Sequence, residues 1–174
     1  MKKARIIVLT GEGKGKSSSA LGMVLRGVGH GLRVCVIQFI KDQGDTGEAK
    51  ALRLLNNVEH VLCGRGFVLP HEPHHRAGHC SAAREGLALA RQRLEDPSVQ
   101  MVVLDEICCA LSESLLSRGD VEATLAVASA DKIIILTGRN APDWLVECAD
   151  TVSHVTCIKH GYDCGIDAQP GVEL

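Results

Sequence analysis

The sequence predicts an α/β fold in which a mostly parallel β-sheet carries helices on both faces. Short apolar runs alternate along the chain with segments of helical periodicity, and a glycine-rich turn joins the first run to the first helical segment. Strands that alternate with helices form parallel sheets, because each helix returns the chain to the edge from which the next strand starts. The 174 residues suit a single domain spanning residues 1–174, without internal repeats or linkers.

The first strand, turn and helix are predicted around Thr10–Ser19, with the sequence TGEGKGKSSS. The β-branched run Ile6–Leu9 precedes this segment, and helical spacing of apolar residues begins after Ser17. Glycines allow backbone N–H groups to converge on an anion at a helix N-terminus, the lysines add positive charge, and the hydroxyl after Gly-Lys is a typical magnesium ligand. We therefore expect a phosphate-binding turn made of Gly11, Glu12, Gly13, Lys14, Gly15, Lys16, Ser17 and Ser18.

This turn departs from the standard phosphate-binding loop by one residue. In the pattern G-x-x-x-x-G-K-[ST] the first glycine would lie at position 10, which is Thr10, so the loop that starts at Gly11 is one residue short. The alternative is a glycine-rich connection that binds nothing. Three glycines and two lysines in so short a segment would be a poor choice for such a connection, and a non-standard phosphate site is favoured.

The remaining elements follow from apolar runs and breaker residues, with the first helix ending at Gly29-His30-Gly31. They are a strand over Arg33–Ile40, a helix over Ala49–Leu55, a strand over Val58–Leu62, an aperiodic loop over Cys63–Cys80, a helix over Ser81–Leu94, a strand over Val99–Asp105, a helix over Asp120–Ala128 with Asp120 as N-cap, a strand over Lys132–Leu136, a helix started by Asn140 and Pro142, a strand over Thr151–Ile158 and a tail from Lys159.

Polar residues follow three of these strands at the sheet edge where open α/β sheets bind ligands. Gln38, Lys41 and Glu48 follow the second strand, and a solvated loop is the alternative reading of that segment. An arginine, Arg139, follows the strand over Lys132–Leu136 and can fork onto phosphate oxygens. Both features, together with the acidic pair Asp105-Glu106, predict a site at the carboxyl edge of the sheet.

An acidic pair, Asp105-Glu106, ends the strand over Val99–Asp105. Carboxylates in this position of phosphate-loop enzymes hold Mg²⁺ directly or through water, and together with Ser17 they form the predicted magnesium site. Two acids at a strand end can also be ordinary polar cap residues. The phosphate-binding turn upstream favours the metal.

The loop over Cys63–Cys80 carries two apolar anchors, Phe67 and Leu69, and is long enough to be functional or disordered. It also holds potential metal ligands, namely His71, His74, His75, His79 and Cys80. Their spacing matches no standard zinc pattern, and a partly exposed loop without metal is the favoured interpretation.

Composition excludes several classes of protein. The net charge of −2 and the pI of about 6.4 give no general attraction to nucleic acid or to anionic membranes, and aromatic residues are too few, at 2%, for base stacking. We expect neither a signal peptide nor a membrane span, and the eight cysteines are expected to be reduced. These features predict a cytoplasmic enzyme.

Taken together, the motifs resemble the P-loop ATP:cob(I)alamin (corrinoid) adenosyltransferases over nearly the whole chain. The residues that carry the resemblance are Thr10-Gly11-Glu12-Gly13-Lys14-Gly15-Lys16-Ser17, Gln38-Phe39-Ile40-Lys41 with Gly47-Glu48, Leu104-Asp105-Glu106, Thr137-Gly138-Arg139 with Ala141-Pro142, Ala149-Asp150, and the ending Lys159-His160, Gly165-Ile166, Ala168-Gln169 and Gly171-Val172-Glu173.

The resemblance implies a homodimeric, three-layer P-loop NTPase fold of the RecA type with the tail 159–174 near the active site. It implies that Co(I) of a reduced cobalamin or cobinamide-type corrinoid attacks the 5′-carbon of ATP, that triphosphate leaves, and that a flavoprotein supplies the electron. Lys14, Lys16 and Arg139 would bind the triphosphate, Mg²⁺ would be held by Ser17 and Glu106 with Asp105, and Phe67 with Leu69 would face the corrin.

The chain departs from the family pattern at two places. Family members usually have tryptophan where this chain has Leu69, which leaves a smaller apolar wedge. They often carry an N-terminal arm that covers the site, whereas the first strand here is predicted close to residue 5, so that the histidine-rich loop or the C-terminal tail is the expected substitute. The competing hypotheses are an ATPase or phosphotransferase of the same fold and a module that binds ATP and corrinoid without turnover.

Overall fold

A computed structural model describes residues 3–42, 45–66 and 73–173, and within the last range the side chains from residue 76 onward. The described strands are β1 (Arg5–Thr10), β2 (Val34–Gln38), β3 (Val58–Leu62), β4 (Met101–Asp105), β5 (Ile133–Thr137) and β6 (Thr151–His154). The helices are α1 (Lys16–Gly29), α2 (Gly47–Leu52), α3 (Pro73–Glu95), α4 (Ile107–Ser112), α5 (Arg118–Leu125) and α6 (Asp143–Cys148), followed by a short 3₁₀ turn at Tyr162–Cys164.

The strands form one parallel sheet in the order β3-β2-β4-β5-β1-β6. The register aligns Gln38 with Asp105 on the neighbouring strand, and Leu9 with Thr137. Since all strands run the same way, their carboxyl ends lie along one edge of the sheet, which is where the polar candidates of β2, β4 and β5 meet.

Helices cover both faces of the sheet, as predicted, and alternate strand residues supply two hydrophobic cores. One core joins residues such as Ile37, Leu104 and Ile134 to the face covered by α3, α4 and α5. The other joins Val36, Val103 and Ile135 to α1 and α2. The three-layer α/β architecture predicted from the alternation of strands and helices is confirmed.

Several predicted boundaries are wrong by a few residues, and three of them have a clear local reason. Helix α3 begins at Pro73, so His79 and Cys80 lie on a helix rather than in the predicted loop. Its first two turns, PHHRAGHC, lack apolar periodicity, although proline favours the first helical position. Helix α5 begins at Arg118 and not after Asp120, because the Ser117 side chain accepts the hydrogen bond from the Asp120 backbone N–H and is the N-cap.

The third boundary is the end of β6, which stops at His154 and not at residue 158. Beyond it, Val155 turns toward the glycine-rich loop, where its N–H donates to the Thr10 carbonyl and its own carbonyl accepts from Gly13. Helix α4 has no counterpart in the sequence prediction, since its six residues follow the acidic pair directly and are too few to show a period.

Among the described residues, none of the helices combines the length and the apolar character that crossing a lipid bilayer requires.

Candidate active site at the carboxyl edge of the sheet

The glycine-rich loop joins the end of β1 to the start of α1. Gly11 and Gly13 press against the segment that follows β6, where an added Cβ would lie 2.4 Å from the Val155 oxygen and 2.7 Å from the Thr156 oxygen respectively. Gly15 has open space around it but a φ of 123°, which L side chains rarely adopt. Two glycines are therefore required by packing and the third by backbone conformation.

The two lysines of the loop differ in their surroundings. Lys16, the first residue of α1, is only 8% exposed, and its ammonium donates to the Gly13 carbonyl at 2.8 Å. Lys14 is exposed, and its Nζ lies 3.5 Å from a carboxylate oxygen of Glu173 in the C-terminal tail. The buried lysine thus braces the loop from inside, while the exposed one sits at its rim.

Asp105, at the end of β4, is the centre of the site. It is 2% exposed, and its Oδ1 accepts from the hydroxyls of Ser17 and Thr137, each at 2.7 Å. Its Oδ2 accepts from the Gln38 amide at 2.8 Å and lies 3.4 Å from the Lys41 ammonium. Side chains from β2, β4, β5 and α1 therefore converge on one buried carboxylate.

The charge of Asp105 is stabilised by these partners. Burial alone would raise the pKa of Asp105, but Lys41 and the hydrogen bonds from Thr137, Ser17 and Gln38 outweigh it and hold that pKa below its ordinary value. Burial lowers the pKa of Lys41, but the negative charges of Asp105 and Glu48 raise it by more than burial lowers it. The pKa of Lys41 therefore lies above its ordinary value. Both groups are charged at neutral pH.

Gln38 extends this network toward the sheet edge. Its Oε1 lies 2.7 Å from Nε2 of His60, on β3, while its amide nitrogen contacts Asp105. Lys41, in turn, also contacts the Glu48 carboxylate at 3.2 Å, at the first turn of α2. The residues predicted after the second strand therefore belong to the Asp105 network and not to a freely solvated loop.

Glu106 lies next to Asp105 with a left-handed backbone (φ of 65°) and caps α4. Its backbone N–H donates to the Thr137 hydroxyl at 3.0 Å. Its carboxylate accepts from the Cys109 thiol at 2.8 Å, and the same sulfur accepts from the Arg139 backbone N–H at 3.3 Å. One thiol thus connects the second acid to the turn that carries the arginine.

Burial and the hydrogen bond to Glu106 raise the pKa of Cys109 to about 12. The thiol is therefore protonated at neutral pH, which is the form that donates to a carboxylate. This role is structural rather than nucleophilic.

Arg139 points across the mouth of the loop. Its Nε lies 3.2 Å from a carboxylate oxygen of Glu12, and both side chains are 59% exposed. The preceding Gly138 has a φ of 131°, and an added Cβ would lie 3.0 Å from the Cys109 backbone nitrogen, so no other residue fits this turn without strain. The arginine is held by its backbone, while its guanidinium is accessible to a ligand.

The oxygen atoms around Asp105 suit a hard divalent cation. Ser17 and Asp105 present a hydroxyl and a carboxylate in direct contact, and Glu106, the next residue in the chain, carries a second carboxylate. Magnesium prefers oxygen ligands of this kind together with substrate phosphates. By contrast, no group of three histidine, cysteine, aspartate or glutamate side chains suitable for a metal occurs within the described part of the chain.

Some of the predicted site residues are not among those that the structure brings together around Asp105. Phe67, Leu69 and His71 fall outside the described residues, as do the side chains of His74 and His75. The chain leading to Phe67 is described up to Gly66, whose N–H donates to the Ile40 carbonyl at 2.8 Å. An added Cβ on Gly64 would lie 2.0 Å from the Ile40 carbonyl carbon, so this segment crosses tightly over the end of β2. Ser18 is exposed on the first turn of α1.

Sequence reasoning missed three contributors to the site. His60 lies within a strand, where a histidine is an ordinary half-buried residue, and Cys109 is one of eight cysteines that the sequence predicts only to be reduced. The motif Thr137-Gly138-Arg139 drew attention to its arginine, whereas the Thr137 hydroxyl is the atom that joins Asp105 to Glu106. Their position along the chain was the available signal, because each lies within three residues of the carboxyl end of a strand or of the acidic pair.

The chain is similar to known proteins along nearly its whole length. The family model described as ATP:corrinoid adenosyltransferase BtuR/CobO/CobP matches residues 2–174. A corrinoid adenosyltransferase of Pseudomonas aeruginosa is 41% identical over 170 residues, covering 97% of this chain and 83% of the relative. A corrinoid adenosyltransferase of Escherichia coli K12 is 37% identical and the corrinoid adenosyltransferase CobA of Salmonella typhimurium 36% identical, each covering 97% of this chain and 84% of the relative.

Proposed function

The chain belongs to the ATP:corrinoid adenosyltransferase family, and from that premise we propose how its site transfers the 5′-deoxyadenosyl group of ATP to a reduced corrinoid. In the reaction the electron pair of Co(I) forms a bond to the 5′-carbon of ATP. The bond between that carbon and its phosphate oxygen breaks, and its electron pair leaves with triphosphate. Cobalt is formally oxidised to Co(III) in adenosylcobalamin.

The glycine-rich loop binds the triphosphate in this proposal. Backbone N–H groups at the start of α1, together with Lys14 and Lys16, provide the positive field, and Arg139 closes the mouth of the loop. Support comes from the Lys14–Glu173 and Arg139–Glu12 ion pairs, since in each a carboxylate oxygen contacts a cation where a phosphate oxygen would bind. We expect triphosphate to replace both carboxylates.

Magnesium is assigned to Ser17, Asp105 and Glu106. When bound, Mg²⁺ would neutralise part of the negative charge that collects on the triphosphate. Asp105 is ionised and held on both oxygens, so it would present a preformed ligand, and the Ser17 hydroxyl, now donating to Asp105, would turn an oxygen lone pair to the metal. The Cys109 thiol would hold the Glu106 carboxylate in place beside them.

No general base is needed, because Co(I) is itself the nucleophile. The work left to the protein is alignment of the 5′-carbon, exclusion of water and stabilisation of a polyanionic leaving group. Buried Lys16 and the buried Asp105 network suit this task, since they are fixed before the substrate arrives. We infer that the shortened loop holds triphosphate as a leaving group rather than presenting a γ-phosphate to an acceptor.

The corrinoid is placed beyond the end of β2. We propose that Phe67 and Leu69 contact its lower face and displace the axial ligand of Co(II), which makes reduction easier. The tight crossing of Gly64 and Gly66 over Ile40 supports this placement, because it directs the chain that leads to Phe67 toward the Lys41 side of the site.

Cobalamin and cobinamide-type corrinoids are the proposed substrates, and a flavoprotein is the proposed electron donor to Co(II). We propose a homodimer that acts in the cytoplasm. The eight free cysteines are compatible with a reducing compartment.

The observation that carries the mechanism is the contact of Ser17 with buried Asp105 directly beside Lys16, in a chain matched by the family along residues 2–174. The test is anaerobic incubation of the purified protein with MgATP and chemically reduced cobalamin. We expect a light-sensitive cobalt–carbon product and free triphosphate. Release of ADP and phosphate would indicate an ATPase or phosphotransferase, and binding of both ligands without product would indicate a non-catalytic module.

A further inference from the structure

His60 lies on the edge strand β3, one hydrogen bond away from Gln38 and two away from Asp105. We propose that His60 is a positioning residue of the adenosyltransferase site: its Nε2–H orients the Gln38 amide so that the amide donates to Asp105. The inference rests on the proposed role of Asp105 at the magnesium site.

The direction of each hydrogen bond in this chain follows from the contacts around Asp105, starting at the Thr137 hydroxyl. The Glu106 backbone N–H donates to the Thr137 hydroxyl oxygen, so the proton of that hydroxyl is directed to Asp105 Oδ1 at 2.7 Å. Asp105 is therefore an acceptor there, as an ionised carboxylate is at both oxygens. Gln38 must consequently turn its NH₂ group, its only donor, toward Oδ2.

This orientation of the Gln38 amide determines which ring nitrogen of His60 carries the proton. With its nitrogen facing Asp105, the Gln38 side chain presents its carbonyl oxygen to His60 Nε2 at 2.7 Å. A carbonyl oxygen can only accept, so Nε2 must carry the proton. The structure thus selects the Nε2–H form of the neutral ring, in which Nδ1 is the acceptor.

The neighbours of His60 do not reverse this arrangement. Burial lowers its pKa, and the nearby charges of Arg53 and Lys41 lower it while Glu48 and Asp105 raise it, with a net value below the ordinary one. The ring is neutral at physiological pH. A protonated ring would also donate from Nε2, so the bond to Gln38 is expected to persist as the pH falls.

Loss of the His60 donor would release the Gln38 amide. Its carbonyl could then turn toward Asp105, where two acceptors would face each other, and Oδ2 would retain only the Lys41 ammonium at 3.4 Å. The carboxylate would then be held by hydrogen bonds at Oδ1 and only by the more distant Lys41 ammonium at Oδ2. The expected consequence is weaker binding of MgATP, by about tenfold, which is near the lower end of what one hydrogen bond to a charged group contributes.

Two variants distinguish the effect of the N–H donor of His60 from the effect of the space that its ring fills. His60→Gln keeps an N–H donor at the end of a side chain of similar reach, whereas His60→Leu fills similar space without one. We expect a MgATP dissociation constant close to wild type in H60Q and about tenfold higher in H60L. Substitution of the exposed His30, at the far end of α1, by leucine is the matched control and should leave binding unchanged.

Nitrogen-15 NMR of the wild-type protein provides a readout that does not depend on the variants folding. The His60 ring should show the Nε2–H tautomer, and the Gln38 side-chain amide should give slowly exchanging NH₂ signals. In the variants, the Gln38 amide signals should persist in H60Q and exchange rapidly in H60L.

An Nδ1–H tautomer in the wild type, or equal MgATP affinity in H60Q and H60L, would overturn the proposal. Neither measurement involves a corrinoid. Failure of the protein to make adenosylcobalamin would therefore count against the proposed function and not against the role of His60.

Discussion

Replacement of Thr137 by valine tests the organisation of the site most sharply. Thr137 is fully buried, its hydroxyl donates to Asp105 at 2.7 Å, and it accepts from the Glu106 N–H at 3.0 Å. Valine has nearly the same shape and removes only these two hydrogen bonds. The variant therefore leaves a buried carboxylate with one donor fewer and a backbone N–H without its acceptor.

These contacts set the expected loss in the free energy of unfolding. A hydrogen bond to a charged group contributes about 1.5–3 kcal/mol, and an unsatisfied N–H costs about 1–3 kcal/mol. The Glu106 N–H is only partly buried, so we take the lower end of its range and expect Thr137→Val to lower the free energy of unfolding by about 2.5–4 kcal/mol. Thr137→Ser keeps the hydroxyl, and we expect it to lose only about 1 kcal/mol for the missing methyl group.

Urea denaturation of the three proteins measures the difference. The urea midpoint should fall much further in T137V than in T137S at an unchanged slope, since a changed slope would indicate an altered denatured state. The affinity for MgATP should follow the same order. Equal stabilities of T137V and T137S would refute the view that the hydroxyl joins the two acids.

Three further predictions follow from the same contacts. Cys109→Ala should lower the adenosylation rate about tenfold, because Glu106 loses its donor, and Cys109→Ser should restore most of it; equal rates would contradict the role of the thiol. Gly13→Ala should destabilise the protein in thermal unfolding, since the added methyl meets the Thr156 backbone at 2.7 Å, while Gly22→Ala, in open space on α1, should stabilise it by up to about 1 kcal/mol. The lowered pKa of Asp105 means that its contribution to stability is present above the unfolded-state pKa near 3.9 and is lost as the pH falls below it, so the acid limb of a urea-midpoint profile should be shallower in Asp105→Asn.

The course of the chain could be predicted because apolar periodicity reports burial directly. Each apolar run predicted as a strand forms one, and the parallel arrangement places the ends of β2, β4 and β5 together. The first turns of α3 could not be predicted in this way, because their polar sequence hides the helix until its apolar face begins near Ala83.

The connections within the site could not be predicted from spacing. His60 reaches Gln38 only because β3 pairs with β2 in a register that aligns His60 with Val36, two residues before Gln38. Cys109 contacts Glu106 because the left-handed backbone at Glu106 starts α4 directly after the strand. Neither register nor turn conformation is encoded in the residue types alone, since any half-buried strand can carry a histidine.

The fate of the 5′-carbon of ATP shows whether the protein transfers a deoxyadenosyl group or a phosphoryl group. ATP labelled with carbon-13 at that position is incubated with the protein, Mg²⁺ and reduced cobalamin, and the product is examined by carbon-13 NMR, with Lys16→Ala as the inactive control. We expect one cobalt-bound labelled carbon for each intact triphosphate released, and no product with K16A. Labelled carbon that remains in ADP, with phosphate as the other product, would mean that the γ-phosphate is cleaved and that no deoxyadenosyl group is transferred.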